Sequence, residues 1–339
     1  MTSDTTQSEN SRKNIWNHRG PVVMSPVFEW PPRPAEAFVA LTKRWVTLTR
    51  NTLFLLIAMC IYNYFLPDLT VMKSLSLQWI GPVLLRNFLL FLLVTGGLHL
   101  FFFTFRKQGS KLKFDHRQQL DKSKLFTFNN QLYDNMFWTL TSGTLVWTSY
   151  EVLYFWGVAN QVIPVLEFSS QPAAFIAWLL LLPALLSAHF YLIHRVLHWP
   201  VLYERFHRLH HRNIQIGPWA GMSMHPVEHV LYISSVLIHY VIPSHPVILL
   251  LHLVNRCLVP AFSHAGFEKM LVKDRVVTEA ADFHHQLHHK YFDCNYGSVE
   301  VPLDRWLNTL HDGSDEATAT MRERTRVMAR SRKVQTAAS

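Results

Sequence analysis

Residues 173–211 read AAFIAWLLLLPALLSAHFYLIHRVLHWPVLYERFHRLHH. The first part, to Ile193, carries no Asp, Glu, Lys or Arg and has the roughly 20 apolar residues that a bilayer-spanning helix needs. Where that helix leaves the membrane, His194 and His198 stand at i and i+4, so their imidazoles stack on one face. Trp199–Pro200 breaks the helix, because the residue before a proline is disfavoured in the α region, and the proline suits the first turn of the next one. That second helix, expected over 201–211, carries His207, His210 and His211 at i, i+3 and i+4, three imidazoles on one stripe.

Some 75 residues further on, His285, His288 and His289 repeat the H-x-x-H-H spacing in a stretch, 278–290, that reads as helical. A lone H-x-x-x-H is usually a satisfied surface or core pair, but three such groups in one region are a different matter. Eight clustered imidazoles cannot all be protonated side by side, since like charges a few Å apart repel, and neutral imidazole is the commonest metal ligand. A nitrogen-rich set without thiolates suits iron or zinc. Eight ligands exceed what one ion accepts, so two metals are implied.

Outward from this region the chain shows three further apolar runs, 51–66, 80–105 and 136–158, giving with 173–193 about four transmembrane helices. The loop 106–135 holds seven Lys/Arg (Arg106, Lys107, Lys111, Lys113, Arg117, Lys122, Lys124), against one in the two short loops near Lys73 and Glu167. By the positive-inside rule that loop, both termini and everything after Ile193 are cytoplasmic. A fifth apolar region, 227–262, is interrupted at Ile242-Pro243-Ser244-His245-Pro246, which ends or kinks a helix. Its second half, 247–258, has about the length of a re-entrant or interfacial segment, so the region reads as a re-entrant helical hairpin that dips into the membrane and returns; two full short spans would give the same sidedness. The expected fold is therefore all-α: about four membrane helices, the hairpin, and a cytoplasmic histidine-rich helical cap. Four parts follow: a polar arm over 1–50, transmembrane helices over 51–185, a catalytic region over 186–313, and a basic tail over 314–339.

Composition agrees and excludes other classes. Of 339 residues, 49% are hydrophobic and 16% charged, with net charge +9 and 20 histidines; soluble domains average about 25% charged. Disorder is excluded on that ground. Twelve glycines and no Gly-x-Gly-x-x-Gly leave no nucleotide-binding loop. Cys60, Cys257 and Cys294 form no C-x-x-C, hence no disulfide framework or cysteine zinc site. No nucleic-acid partner is expected, and the oligomeric state stays open.

Weaker candidates flank the three boxes. His225, Glu228 and His229 lie in Met224-His225-Pro226-Val227-Glu228-His229, His264 in Ser263-His264-Ala265-Gly266, and His284 precedes the last box. Each is equally a hydrogen-bonding or capping residue. His18, His99, His116, His189, His239, His245, His252 and His311 are isolated or lie in spans and arms, and are left to structural duty.

Taken together, the pattern resembles the fatty acid hydroxylase/sterol desaturase superfamily of integral membrane di-iron enzymes, over roughly 186–313. His194-Arg-Val-Leu-His198 resembles its first box and Tyr203-Glu-Arg-Phe-His207-Arg-Leu-His210-His211 its second. His225-Pro-Val-Glu228 is similar to a His-Pro-x-Glu element of the sterol-modifying branch, and Ser263-His264-Ala-Gly266 to its Ser-His-Ser-Gly. Phe283-His284-His285-Gln-Leu-His288-His289, then Cys294-Asn295-Tyr296-Gly297 and Leu303-Asp304-Arg305, resemble the third box and its trailer. The usual Gly-Thr after Asp-Arg is replaced by Trp306-Leu-Asn-Thr309.

The resemblance implies that the eight boxed histidines with His264 and His225 ligate two irons, with His284, Glu228, His229 and Asn295 behind them. It implies an O2-dependent hydroxylase or desaturase of a membrane lipid, a sterol or related lipid first, a fatty acyl chain or sphingolipid as the alternative. Electrons would come from a separate NAD(P)H-dependent reductase and a small carrier of cytochrome b or ferredoxin type, with a site on the cytoplasmic face of a bacterial inner membrane or the endoplasmic reticulum. Readings of another class are a metal transporter, which would carry its ligands inside the spans, and a zinc hydrolase, which usually has carboxylate ligands or a base that the boxes lack.

Overall fold

Apolar runs joined by proline-rich and polar connections give a mostly helical chain. The computed structural model describes residues 21–46 and 49–338, so most of the first half of the N-terminal arm, His18 included, lies outside the described residues. Helix α1 (Pro34–Val46) leads to α2 (Arg50–Cys60), whose first turn is capped by the Thr49 hydroxyl accepting the Thr52 N–H, and which continues through a wider turn at Ile61–Phe65. Helix α3 (Leu77–His99) runs on through Leu100–Thr104. It buries Trp79, Val83, Asn87, Phe91, Thr95 and Leu98, one side chain per turn, and leaves Leu85, Leu89, Leu92 and Leu93 exposed. An exposed leucine-rich flank of that length marks a surface meant for an apolar neighbour.

Helices α4 (Gln131–Trp138) and α5 (Thr144–Ala159) are joined through a wide turn at Thr139–Gly143, and α6 (Pro172–Leu197) starts on its own proline. Among the described residues, four helical stretches are long and apolar enough to cross a membrane: Pro34–Phe65, Leu77–Thr104, Pro172–Leu197 and Pro246–Ser263. The number agrees with the sequence reading, but the membership differs. The run at 136–158 is helical, yet Thr139, Thr141, Ser142, Thr144, Thr148, Ser149 and Glu151 dilute its apolarity. Its place is taken by the second leg of the interrupted region, whose length in the sequence favours a re-entrant segment.

That leg, α10 (Pro246–Ser263), is the centre of the molecule. It is mostly apolar, with His252, Asn255 and Arg256 among its side chains, and buried along its length, packed by α2, α3, α6 and the turn Pro218–Met222. Gly221 permits this approach: a Cβ there would meet the Pro260 carbonyl oxygen at 2.2 Å. The first leg is α9 (Pro226–Ile233), continued by a tighter helical segment at Ser234–Tyr240, and the prolines at 243 and 246 turn the chain back. The aromatic packing around the bundle includes Phe91 edge-on to Trp147 with ring centroids 5.1 Å apart, and Phe102 stacked on Phe267 at 4.5 Å.

Two departures from the all-α expectation follow from local chemistry. Residues 269–279 form a ribbon of β1 (Lys269–Val272) and β2 (Arg275–Glu279), turning on Lys273 and Asp274, both at positive φ as a two-residue hairpin turn requires. The helix expected from 278 therefore begins later, as α11 (Phe283–Tyr291), where the Asp282 carboxylate accepts the His284 N–H at 2.9 Å. Val276, Val277 and Thr278 are β-branched and favour the strand. The helix expected over 201–211 is likewise split into α7 (Pro200–Leu202), a wide turn at Tyr203–His207, and α8 (Arg208–His211). After α11 come the short α12 (Leu303–Trp306) and the terminal α13 (Asp315–Ala338). The basic loop folds onto this region: Phe114 N–H donates to the Gly266 carbonyl at 3.0 Å, and Gln131 and Asn135 both donate to the Asn213 side-chain oxygen.

Candidate metal centre

The three boxes meet at the end of α6, on α8 and on α11, and they divide. His194, His198, His207, His211 and His288 form one group; His210, His264, His285 and His289 form another, the ligand atoms within each lying within 4.8 Å of one another. The division follows a rule that linear spacing does not display. In each H-x-x-H-H box the outer pair at i and i+4 goes to one group and the middle histidine to the other. His207 and His211 join the first group while His210 joins the second; His285 and His289 join the second while His288 crosses to the first. His194 and His198 complete the first group, and His264, from the end of α10, completes the second.

Backbone carbonyls fix the tautomers. A carbonyl accepts only, so the imidazole nitrogen facing it carries the proton. His194 Nδ1 donates to the Tyr296 carbonyl at 2.7 Å, His288 Nδ1 to Cys294 at 2.6 Å, His210 Nδ1 to Ser223 at 3.3 Å and His264 Nδ1 to Pro260 at 2.9 Å. His207 Nδ1 faces the Glu228 carboxylate at 2.7 Å. Each of these rings, kept neutral, presents a bare Nε2 lone pair. Two pairs of these bare nitrogens face one another, His194 and His207 at 3.0 Å and His264 and His210 at 3.3 Å, and the Nε2 atoms of His288 and His264 also face Nε2 of His211 and His289, each at 3.0 Å.

Two unprotonated nitrogens at this separation repel unless a cation lies between them. Nitrogens bound to one ion at about 2.1 Å and at right angles to each other are about 3.0 Å apart, which is the observed spacing. His198 Nε2 is sealed from solvent and has no partner, and Nδ1 of His211, His285 and His289 is unpartnered as well. The residues thus fit two metal ions held by imidazole alone, with no carboxylate in either group.

Burial keeps the rings uncharged. It lowers His198 to about 2 and His210 to about 4, and takes His207, His211, His264, His285, His288 and His289 well below the ordinary value, with neighbouring histidines adding to the effect. Full deprotonation is what a metal-ligand set needs.

The flanking candidates take other places. His225 lies outside both groups; it is half-buried, caps α9 by accepting the Val227 N–H at 3.2 Å, and stacks near Phe206. Proline at the next position makes it an N-cap. His229 bridges the Ser142 hydroxyl and the Met222 carbonyl, and burial lowers it to about 4. Glu228 stands behind His207. His284 is fully buried 3.3 Å from Asp304. Asn295 donates to the His284 and His311 carbonyls and accepts the His311 N–H, tying three segments together.

Asp304 emerges as a supporting residue that the sequence offered only as part of a trailer. Its carboxylate accepts the N–H groups of Tyr296 and Gly297 at 2.8 and 2.7 Å and the Thr309 hydroxyl at 2.6 Å. It thereby fixes the Tyr296 carbonyl that orients His194. Gly297 must be glycine here, since a Cβ would lie 2.9 Å from Asp304 Oδ2 and 3.2 Å from the Tyr191 ring.

The histidines close one end of a cavity of about 780 Å³, within the usual range for a small-molecule site. His194, His207, His210, His264 and His285 face it; Pro183, Leu186, Phe190, Val259 and Tyr232 form apolar walls; Arg44 and Glu300, an ion pair, lie at its rim with residues 21–23.

The sequence profile of the fatty acid hydroxylase family matches residues 179–309, a segment that contains all nine grouped histidines, Glu228 and Asp304. Over this segment the chain is similar to that family. The hydroxylase-family segment is also where similarity to curated proteins lies. The chain is 34% identical over 122 residues to a Delta(7)-sterol 5(6)-desaturase of Candida glabrata, covering 34% of this chain and 31% of that protein. It is 36% identical over 122 residues to the enzyme of the same name from Eremothecium gossypii, covering 34% and 32%. With that of Gibberella zeae it shares 35% over 126 residues, covering 34% and 36%. The chain thus spans about a third of the length of the curated relatives it matches. No solved structure matches it.

Proposed function

We propose that this protein is an O2-dependent di-iron oxidoreductase of a membrane lipid, hydroxylating or desaturating a sterol or a related lipid. The observation that carries the reading is the joining of two all-histidine groups to the end of one apolar-walled cavity. The likeness of the hydroxylase-family segment to sterol desaturases favours a sterol; the family's own description keeps a fatty acyl chain as the second reading.

His194, His198, His207, His211 and His288 would hold one iron, and His210, His264, His285 and His289 the other. When bound, the pair supplies the activation of O2 that hydrogen removal from an unactivated C–H bond demands. The chain's own residues do the rest. Carbonyls of Ser223, Pro260, Cys294 and Tyr296 hold the Nδ1 protons and aim the Nε2 lone pairs. Leu186, Phe190 and Tyr232 exclude water and align an apolar substrate. Hydroxylation converts a C–H, O2, two electrons and two protons into C–OH and water; desaturation converts two adjacent C–H bonds with the same inputs into C=C and two waters.

The electrons are assigned to a separate reductase and small carrier, for which the basic loop 106–135 offers a cationic docking face. The hairpin α9–α10 is read as re-entrant, and the histidine region as a cap on the cytoplasmic face of an endoplasmic reticulum or bacterial inner membrane. Two measurements test the proposal. Detergent-purified protein grown with iron should hold about two irons per chain. The lipids of a host expressing wild type should contain an oxidised species missing with His288→Ala. Metal-free protein that is active, or unchanged lipids in a host supplying a competent reductase, would overturn it.

A further inference from the structure

Among the described residues, the half-buried Arg44, Arg86 and Arg212 each meet a carboxylate, and Arg50, over the Phe262 ring, has Asp282 and Glu279 as charged neighbours. Arg86 on α3 lies 2.5 Å from Glu151, and Arg212 lies 3.0 Å from Asp134. Arg256, in the middle of α10 and only 4% exposed, does not; among the described residues no carboxylate lies within ion-pair distance of it. Its partners are neutral. Nε donates to the Ser235 hydroxyl at 2.8 Å, Nη2 donates to the Leu186 carbonyl at 2.9 Å and to His189 Nδ1 at 3.2 Å, and the guanidinium lies 5.1 Å over the Tyr232 ring.

The guanidinium is also held in place. It has no acceptor, so the Ser235 hydroxyl accepts from it, and the same hydroxyl is hydrogen-bonded to His252 Nε2 at 2.7 Å. His252 Nδ1 is in turn hydrogen-bonded to His239 Nε2 at 2.8 Å, and His239 Nδ1 to the Ser244 hydroxyl at 2.8 Å. The chain ends without an acid. Three histidines outside the metal groups thus position a charge that the protein leaves unneutralised. That charge lines the cavity, beside Tyr232 and Leu186.

We infer that Arg256 is the polar anchor of the lipid, binding an oxygen of the substrate at the end of the cavity remote from the histidines. A buried cation without a counter-charge attracts whatever oxygen a ligand brings, and intramembrane charges left unpaired by the protein mark sites of this kind. Two helices give its distance from the metal groups. Arg256 precedes His264 on α10 by eight residues, and its partners Leu186 and His189 precede His194 on α6 by eight and five, which places the guanidinium about 10 Å from the histidine level. Tyr232 and Phe190 lie between: Phe190 is 5.8 Å from Tyr232 and stacks at 4.8 Å on His194.

This deepens the lipid-oxidation reading and rests on it in one respect, the placement of the reacting carbon at the histidines. The substrate then carries an oxygen about 10 Å from the oxidised carbon. The shared chemistry is an acceptor oxygen, either a carboxylate or a hydroxyl.

The test titrates detergent-purified full-length protein, wild type and Arg256→Gln, with radiolabelled oleate against octadecene and cholesterol against cholestane. Wild type should bind one oxygenated lipid about ten- to hundredfold more tightly than its hydrocarbon twin, and Arg256→Gln should abolish that preference. A preference in the oleate pair names a carboxylate, one in the cholesterol pair a hydroxyl. No preference in wild type, or one retained in Arg256→Gln, overturns the anchor. A second measurement needs no variant: a stearate or sterol analogue with a diazirine beside its polar oxygen should label peptides around Arg256 and Leu186, and labelling confined to the histidine boxes overturns the anchor. If binding behaves as expected while no oxidised lipid is ever found, the anchor stands and the oxidation reading falls. If Arg256→Gln leaves both binding and the position of oxidation unchanged, the anchor falls and the oxidation reading stands.

Discussion

Replacing Glu228 by Gln should weaken one of the two metal sites and spare the other. The Glu228 carboxylate accepts the His207 Nδ1–H at 2.7 Å with both groups 2% exposed; burial raises the Glu228 carboxyl, and a metal cation held at His207 Nε2 favours its ionised form, so in the metal-loaded protein the bond is charge-assisted and screened from water. A hydrogen bond to a charged group contributes about 1.5–3 kcal/mol, and a neutral one about 1. The amide keeps the neutral bond and loses the difference, about 1–2 kcal/mol, or roughly five- to thirtyfold in metal affinity. Glu228 Oε2 has no partner, so the amide nitrogen placed there adds an unsatisfied donor and pushes the loss toward the upper end. Among the nine grouped histidines only His207 touches Glu228, and His207 belongs to the five-membered group. Chelator titration of purified protein, with bound iron counted per chain at each step, should therefore show one ion leaving the variant at about tenfold lower chelator while the second leaves as in wild type. Equal displacement of both ions, or of neither, would refute the assignment of Glu228 to one group.

The division of the boxes predicts that His198→Ala and His285→Ala each retain about one iron per chain, measured by elemental analysis, with His285→Ala emptying the group that also contains His210 and His264; loss of both ions from either variant would show the groups to be one site. Gly297→Ala forces a methyl against Asp304 and Tyr191 and should lower stability by about 1–3 kcal/mol, read as a lower thermal unfolding temperature in detergent. Metal-stripped protein should lose stability as pH falls from about 6.5 to about 4. His210 and His229, both lowered to about 4 by burial, stay neutral when folded but protonate when unfolded, so the unfolded state binds the extra protons and gains by about 1.4 kcal/mol per group and pH unit in that window. Thermal unfolding of chelator-treated protein between pH 7 and 5 checks this; a flat profile would show the pocket to be open to water.

Much of the fold was legible because long apolar runs and prolines act locally. Pro200 opens the helix that its position foretold, and Pro172, Pro226 and Pro246 each open a helix as well. The fold departs from the local reading where neighbours decide. The segment 247–258 is short for a span, but the structured helix extends to Ser263 and is buried by surrounding helices, packed closely against Gly221 and the 218–222 turn. The run at 136–158 looked like an ordinary span, yet its threonines, serines and Glu151 are matched by partners on other elements, among them Trp219, His229 and Arg86. The ribbon at 269–279 turns on Lys273–Asp274, a pair without the usual glycine or asparagine signal.

The sequence by itself pointed to the chemistry: ten histidines at ligand spacing or in a family element, nine of which the fold brings together, few charges, and the helices to carry them. Helical periodicity is local, so i and i+4 pairs could be read directly. It was silent on partition, and a single stripe for His207, His210 and His211 was the natural reading. Only the tertiary structure split each H-x-x-H-H box between two groups, because a side chain's metal partners are set by which helix crosses opposite it, a contact between residues tens of positions apart. The same holds for His225, turned into a helix cap by the proline after it, and for His189, His239 and His252, which were set aside as isolated and which the fold lines up behind one unpaired arginine.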